Sequence, residues 1–251
     1  MVAEAGASAR RTFSCVLLCW NPDASLHLPR ILCLHGGGTN SSIFRAQCRI
    51  IRRHLEHSFR LVFPDAPYLS KPGPDVTSVY ADWGPFRSWM KPQTDALRKD
   101  DEVGATGEWV GLLGFSQGAK LAASLLLREQ YEIELYNLSY QSRLADSRLP
   151  KFRFAVLLAG RGPLVTLDPN FHDFYGSEEE VQEPVLRMPT VHVHGLQDEG
   201  LVFHRDLRDR CCVEKSTMTV EWDGDHRVPI KTPDVAAVTQ ALMAVYRVSR
   251  M

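Results

Sequence analysis

Gly114-Phe115-Ser116-Gln117-Gly118 sets a serine between two glycines. An apolar run, Trp109 to Leu113, leads into it, and a helix-forming run opens directly after it at Ala119. A serine on a tight strand-to-helix turn is lifted above the sheet, with the helix N-terminus aimed at it. The glycines fit that turn because a side chain at 114 or 118 would crowd the neighbouring backbone. The chemistry this implies is nucleophilic attack on an acyl carbon, which requires a base to take the hydroxyl proton. In this arrangement the base follows an acid along the chain, in the order Ser, Asp, His.

Nine histidines compete for the role of base. His226 sits in the turn-forming run Asp223-Gly224-Asp225-His226, after the last apolar strand, and is the choice. His192 and His194 alternate along a strand; their spacing suits a metal, but no carboxylate cluster accompanies them. His27, His54, His57, His172 and His204 carry no motif. The acid should end a strand and reach the far ring nitrogen of the base. Asp198 does so, following Val191 to His194 and a glycine turn, although it could equally cap the helix that begins near Leu201. Asp225 is too close to His226 in sequence to reach its ring easily. Two backbone amides should receive the oxyanion: Gln117, next to the serine, and Gly37, in the run His35-Gly36-Gly37-Gly38-Thr39. That run has the glycine content of a phosphate loop without its Gly-Lys-Ser/Thr ending. His35 is expected to brace it.

Alternating elements must position these groups. Ile31–Leu34, Arg60–Phe63, Trp109–Leu113, Phe154–Ala159, Thr190–His194 and Thr217–Trp222 read as strands. Helices are predicted over Ile43–Leu55, Gln117–Gln130, Leu201–Cys212 and Asp234–Val248. The pattern predicts an α/β fold: a mostly parallel sheet with helices on both faces and the ligand site at the carboxyl ends of the strands. Two stretches break the alternation, Leu69–Gly107 and Arg161–Glu183, and read as lid insertions. Trp83, Phe86 and Trp89 in the first are expected to line an acyl pocket.

The 251 residues suit one such domain. It is expected over 29–251, with 1–28 as an extension in which Phe13–Trp20 could add an edge strand. That run is short and lacks a small-x-small cleavage site, which argues against a signal peptide. No stretch reaches the apolar length of a membrane span. Lys+Arg and Asp+Glu nearly cancel, 29 against 30, so no global field draws nucleic acid or an anionic membrane. The six cysteines show no zinc spacing and read as free thiols, which points to a reducing, cytoplasmic setting. Arg45, Arg49 and Arg52 share one face of the first helix, either simply solvated or able to meet an acidic partner.

Five stretches together resemble the fungal-type serine hydrolase family FSH1. They are Arg30–Gly36, Phe63–Pro67, Gly114–Gly118, Pro189–Gly195 with Asp198, and Gly224–Pro229. Within the family the chain looks most like esterases encoded beside fungal polyketide synthases, of the lovastatin and citrinin pathway type. The resemblance implies an α/β-hydrolase fold and a triad of Ser116, Asp198 and His226. It also implies hydrolysis of an ester or thioester through a seryl acyl-enzyme, releasing a polyketide from the carrier domain of a synthase. No metal or organic cofactor is expected. Two other readings stay open: a general carboxylesterase or acyl-protein thioesterase, and a hydrolase-like ligand-binding protein without turnover. The chain departs from the resemblance in its first 28 residues and at Gly37–Gly38, where relatives often carry a bulkier residue.

Overall fold

The computed structural model describes residues 23–73, 76–89, 101–138, 152–165, 167 and 184–250. Six strands form one sheet in the order β2-β1-β5-β6-β7-β8, every neighbouring pair parallel. They are β1 (Arg30–Leu34), β2 (Arg60–Val62), β5 (Trp109–Phe115), β6 (Phe154–Leu158), β7 (Thr190–Gly195) and β8 (Thr217–Trp222). β1, β5, β6 and β7 are buried along their whole length. This is why they read as continuous apolar runs, since a strand covered on both faces needs no polar alternation.

Two cores cover the two faces. On one, Phe44, Cys48, Ile51 and Leu55 from α1 (Ser41–Gln47) and α2 (Arg49–Leu55) pack with Val235, Val238 and Leu242 of α6 (Thr232–Val248) onto Ile31, Cys33 and Val156. On the other, Ala119, Ala122, Ala123 and Leu126 of α4 (Gln117–Leu138) and Leu207 of α5 (Leu201–Cys211) pack onto Leu32, Leu34, Leu112 and Leu157. The small residues opening α4 let it lie close against the strands.

The helix expected over Ile43–Leu55 is two helices. They part at Cys48, whose ψ of 9° leaves helical geometry for one residue, while the apolar stripe runs on across the break. The stretch Leu69–Gly107 is not wholly irregular either. Tyr68–Leu69 (β3) and Arg87–Ser88 (β4) make a two-stranded antiparallel sheet, with α3 (Thr77–Tyr80) between them. Residues 23–28 pack against the approach to β5: Leu26 accepts from the Thr106 amide at 2.8 Å, and Gly107 lies so close to Leu28 that no side chain fits there. The expected edge strand Phe13–Trp20, with Cys15 and Cys19, lies outside the described residues. So do Met90 to Asp100 of the first insertion and most of Arg161–Glu183. The other four cysteines are buried and in no disulfide. No helix among the described residues is long and apolar enough to cross a membrane.

Candidate active site

Ser116 lies between β5 and α4 with φ of 53°, in the left-handed region that most residues avoid. The two flanking glycines are steric requirements. A Cβ on Gly114 would fall 2.3 Å from the Gly118 carbonyl oxygen, and one on Gly118 would fall 2.1 Å from that of Leu34. The serine is fixed by its own amide, which donates to the Leu158 carbonyl at 2.9 Å on the neighbouring strand.

His226 follows β8 and turns back over the sheet. Its loop crosses the end of β7 at Gly195, where a Cβ would meet the Gly224 and Asp225 carbonyls at 2.5 Å. Leu196 and Gln197 hold the loop by donating to the Trp222 and Gly224 carbonyls at 2.9 and 2.8 Å. His226 Nε2 stands 3.1 Å from Ser116 Oγ, and its Nδ1 stands 2.6 Å from Asp198 Oδ2. With the carboxylate accepting from Nδ1–H, Nε2 is left as an acceptor for the serine hydroxyl. The Phe115 ring packs 5.1 Å from the imidazole and limits its tilt.

Asp198 is buried, and its other oxygen accepts from the Gly200 amide at 2.7 Å. Burial alone would raise its pKa. The Gly200 amide, His226 and His204 outweigh that and hold the carboxyl below its ordinary value. Asp225, the rejected neighbour, points away and pairs with Arg227 at 3.2 Å.

Gly37 lies against the Gln117 side chain: a Cβ on Gly37 would be 3.2 Å from Gln117 Oε1. Neither amide has a hydrogen-bond partner among the described residues. Gly37 lines the same cavity as Ser116, and Gln117 directly follows the serine, so the two unpaired amides are the ones an anion at that serine could meet. The loop carrying Gly37 is held from several sides. Gly38, at φ of 73°, donates to Arg87 at 2.9 Å, and the Arg87 amide donates to Thr39 at 2.7 Å. His35 is buried and accepts from the Ala66 amide at Nε2, 3.0 Å away, with Nδ1 2.8 Å from the Gly36 carbonyl. Burial lowers its pKa, so it stays neutral and serves as a brace.

The aromatic expectation is corrected by the packing. A cavity of about 700 Å³ opens at Ser116 and His226. Its apolar walls are Val76, Val79, Tyr80, Phe115, Trp222 and Val228, and Trp83, Phe86 and Trp89 are not among its lining residues. Trp89 is buried beneath the site, where its indole donates to the His35 carbonyl at 2.8 Å and its amide donates to Gln117 Oε1 at 2.9 Å. It braces both halves of the anion corner. Trp83 stacks edge-on against Tyr80 from outside, ring centroids 5.2 Å apart. Phe86 directly precedes β4, its carbonyl accepting from the Ser70 amide at 2.9 Å. The apolar residues downstream of the histidine supply part of the wall, a role the sequence reading had not given them.

His204 is the residue the motif search passed over. It is wholly buried, 3.7 Å from Asp198 Oδ2, with neither ring nitrogen hydrogen-bonded among the described residues. Burial pushes its pKa down to about 4, so near neutral pH it leaves the carboxylate charge to His226. Its place on the first turn of α5, six residues after Asp198, was the available signal. Asp198, His204 and His226 each bring one ligand atom within 4.8 Å of the others. The Asp198–His226 contact is 2.6 Å, shorter than two donors on one tetrahedral metal stand apart, so a cation would have to break it.

A serine on a strained strand-to-helix turn, bonded through a histidine to a buried aspartate beside unpaired amides, defines the serine-hydrolase class on an α/β fold. Residues 25–238 match the serine hydrolase (FSH1) family. The chain belongs to that family and is a serine hydrolase. A probable esterase of Aspergillus terreus (strain NIH 2624 / FGSC A1156) is 53% identical over 234 residues, covering 86% of this chain and 88% of the relative. Esterase pigG of Monascus ruber is 50% identical, covering 89% and 93%. Esterase citA of the same species is 48% identical, covering 86% and 91%. Among solved structures, a Bacillus cereus carboxylesterase superposes with a TM-score of 0.51 at 14% identity, covering 89% of this chain and 91% of that one. RedJ, solved with a polyethylene glycol molecule in its active site, gives 0.51 at 17%, covering 96% and 98%. At those identities the likeness is one of fold.

Proposed function

We propose that Ser116, His226 and Asp198 are the catalytic residues of an esterase or thioesterase that frees an acyl chain, a polyketide by the family resemblance, from a carrier domain. The observation that carries the catalytic part is the continuous hydrogen-bonded path from Ser116 Oγ through His226 to Asp198, at 3.1 and 2.6 Å, opening into the cavity. In the first step Ser116 Oγ bonds to the acyl carbon while His226 Nε2 takes its proton, and Asp198 stabilises the imidazolium. The carbonyl oxygen becomes an oxyanion facing the amides of Gly37 and Gln117. Collapse expels the thiol or alcohol, which receives the proton from His226. Water, deprotonated by the same histidine, then releases the acid and restores the serine.

The cavity supports an extended acyl group over acetate. Its lining mixes apolar side chains, among them Val76, Val79, Phe115 and Val228, with polar ones such as Thr39, Ser78 and Gln197. An acyl chain carrying oxygens along its length matches such a lining. The test has two parts. A fluorophosphonate should modify Ser116 alone, and Ser116→Ala should abolish the label in a folded protein. The purified enzyme should then release free acid from a synthase loaded with its finished chain. Labelling that survives in Ser116→Ala would sink the catalytic assignment, and small-ester turnover with no release from the loaded synthase would sink the carrier.

A further inference from the structure

Two cavities of the molecule share a residue. Arg49 lines the active-site cavity and also a second cavity of about 570 Å³ formed by α1, α2 and the start of β2. Five arginines line this second space, Arg45, Arg49, Arg52, Arg53 and Arg60, against two carboxylates, Asp23 and Glu56. Asp23 is committed to Arg60 at 2.7 Å, and Glu56 stands 3.6 Å from His57. Among the described residues, Arg45, Arg49, Arg52 and Arg53 make no ion pair. The chain as a whole is nearly neutral, so this concentration of charge is local.

The charges also press on one another. Arg45 has its pKa lowered, first by burial and then by Arg52 and Arg60. Such a cluster raises the energy of the free protein, and an anion docked against it relieves the repulsion. On the active-site side, Lys231 joins Arg49 on the cavity wall. Arg49 is thus common to the linings of both cavities, and the active-site cavity also carries Arg227 and Lys231 against one carboxylate, Asp225.

We infer that the arginine-lined cavity between α1, α2 and β2 is a docking surface for an acidic carrier domain, and that Arg49 guides the acyl-bearing arm from it into the active site. This rests on the carrier-bound substrate proposed above. Charge of this kind acts mainly on the rate of productive encounter and is screened by salt.

The test reverses charge away from the catalytic cavity, in Arg45→Glu with Arg53→Glu, and in Arg45→Gln with Arg53→Gln as the milder pair. Three substrates are compared: a hexanoyl chain on a purified acidic acyl carrier protein, hexanoyl-coenzyme A, and p-nitrophenyl hexanoate. Reversal should lower kcat/KM on the carrier substrate about tenfold or more at low salt. The defect should shrink at high salt, the Gln pair should fall between, and p-nitrophenyl hexanoate should be unchanged. Carrier turnover unaffected by either pair would overturn the docking surface while leaving the carrier reading intact. An equal loss on coenzyme A would also overturn it, because the arm and not the domain would then be what the arginines read. Equal loss on the small ester in both pairs would reduce the arginines to a structural part. A wild-type enzyme that cleaves the small ester but leaves the carrier-bound chain untouched would overturn the carrier reading and the docking surface together.

Discussion

Asp198→Asn probes the site through a two-sided geometry. Each carboxylate oxygen accepts one hydrogen bond, Oδ1 from the Gly200 amide at 2.7 Å and Oδ2 from His226 Nδ1 at 2.6 Å. Asparagine keeps the shape but offers one acceptor oxygen and one donor NH₂. If its oxygen serves Gly200, the NH₂ faces His226 and forces Nδ1 to accept. The ring proton then moves to Nε2, which can no longer take the proton of Ser116. If the oxygen serves His226, the NH₂ meets the Gly200 N–H donor to donor. That buried clash costs about 1–3 kcal/mol, so the first arrangement is favoured. With the wrong tautomer dominant, kcat should fall by about 10⁴. At 1.36 kcal/mol per tenfold this is roughly 5–6 kcal/mol of transition-state stabilisation. The assay is steady-state hydrolysis of a p-nitrophenyl ester, normalised to the fraction of serine that a fluorophosphonate can titrate. Asp225→Asn is the control. That carboxylate is exposed and paired with Arg227, and its loss should leave kcat within about twofold. A loss below tenfold in Asp198→Asn, or an equal loss in the control, would refute the assignment of the orienting carboxylate.

Acid should destabilise the fold through the buried imidazoles. Burial is the first cause that lowers His192 to about 3, and His194 and His204 to about 4, from 6.5. The unfolded chain protonates these groups below about pH 6.5 while the folded one does not, so stability falls as pH drops from there towards 4. Unfolding near pH 5 should take up two to three protons from this source, or roughly 3–4 kcal/mol of lost stability per pH unit. A urea midpoint that stays level between pH 7 and pH 5 would contradict this. In the acyl cavity, Tyr80→Ala should raise KM for an octanoyl ester about tenfold relative to an acetyl ester, the worth of one ring wall. Trp89→Ala should instead lower kcat on both alike, because it braces the loop and not the acyl chain; a chain-length effect at Trp89 would reverse these roles.

The nucleophile turn could be read from sequence because its constraints are local. A strand, a left-handed serine and two glycines with no room for a Cβ lie within a few residues, so residue type alone records them. The four central strands were legible for a related reason: burial on both faces excludes polar residues, leaving unbroken apolar runs. Gly195 was legible only as the glycine turn before Asp198; that the histidine loop crosses there came from the fold. What the sequence could not decide was which side chains face the cavity. Trp83, Phe86 and Trp89 have the composition of a pocket, yet one stacks against Tyr80, one directly precedes β4, and one is buried as a brace. Short-range pattern does not say on which side of a loop a ring will lie. His204 had only its place six residues after Asp198 as a signal, and how the first turn of α5 sets its ring against that carboxylate is decided by the backbone path between them. The placing of Arg49 between two cavities is of the same kind. Helical spacing put Arg45, Arg49 and Arg52 on one face, but only the approach of residues 23–25 and β2 turned that face into a basic cavity that shares Arg49 with the active-site cavity.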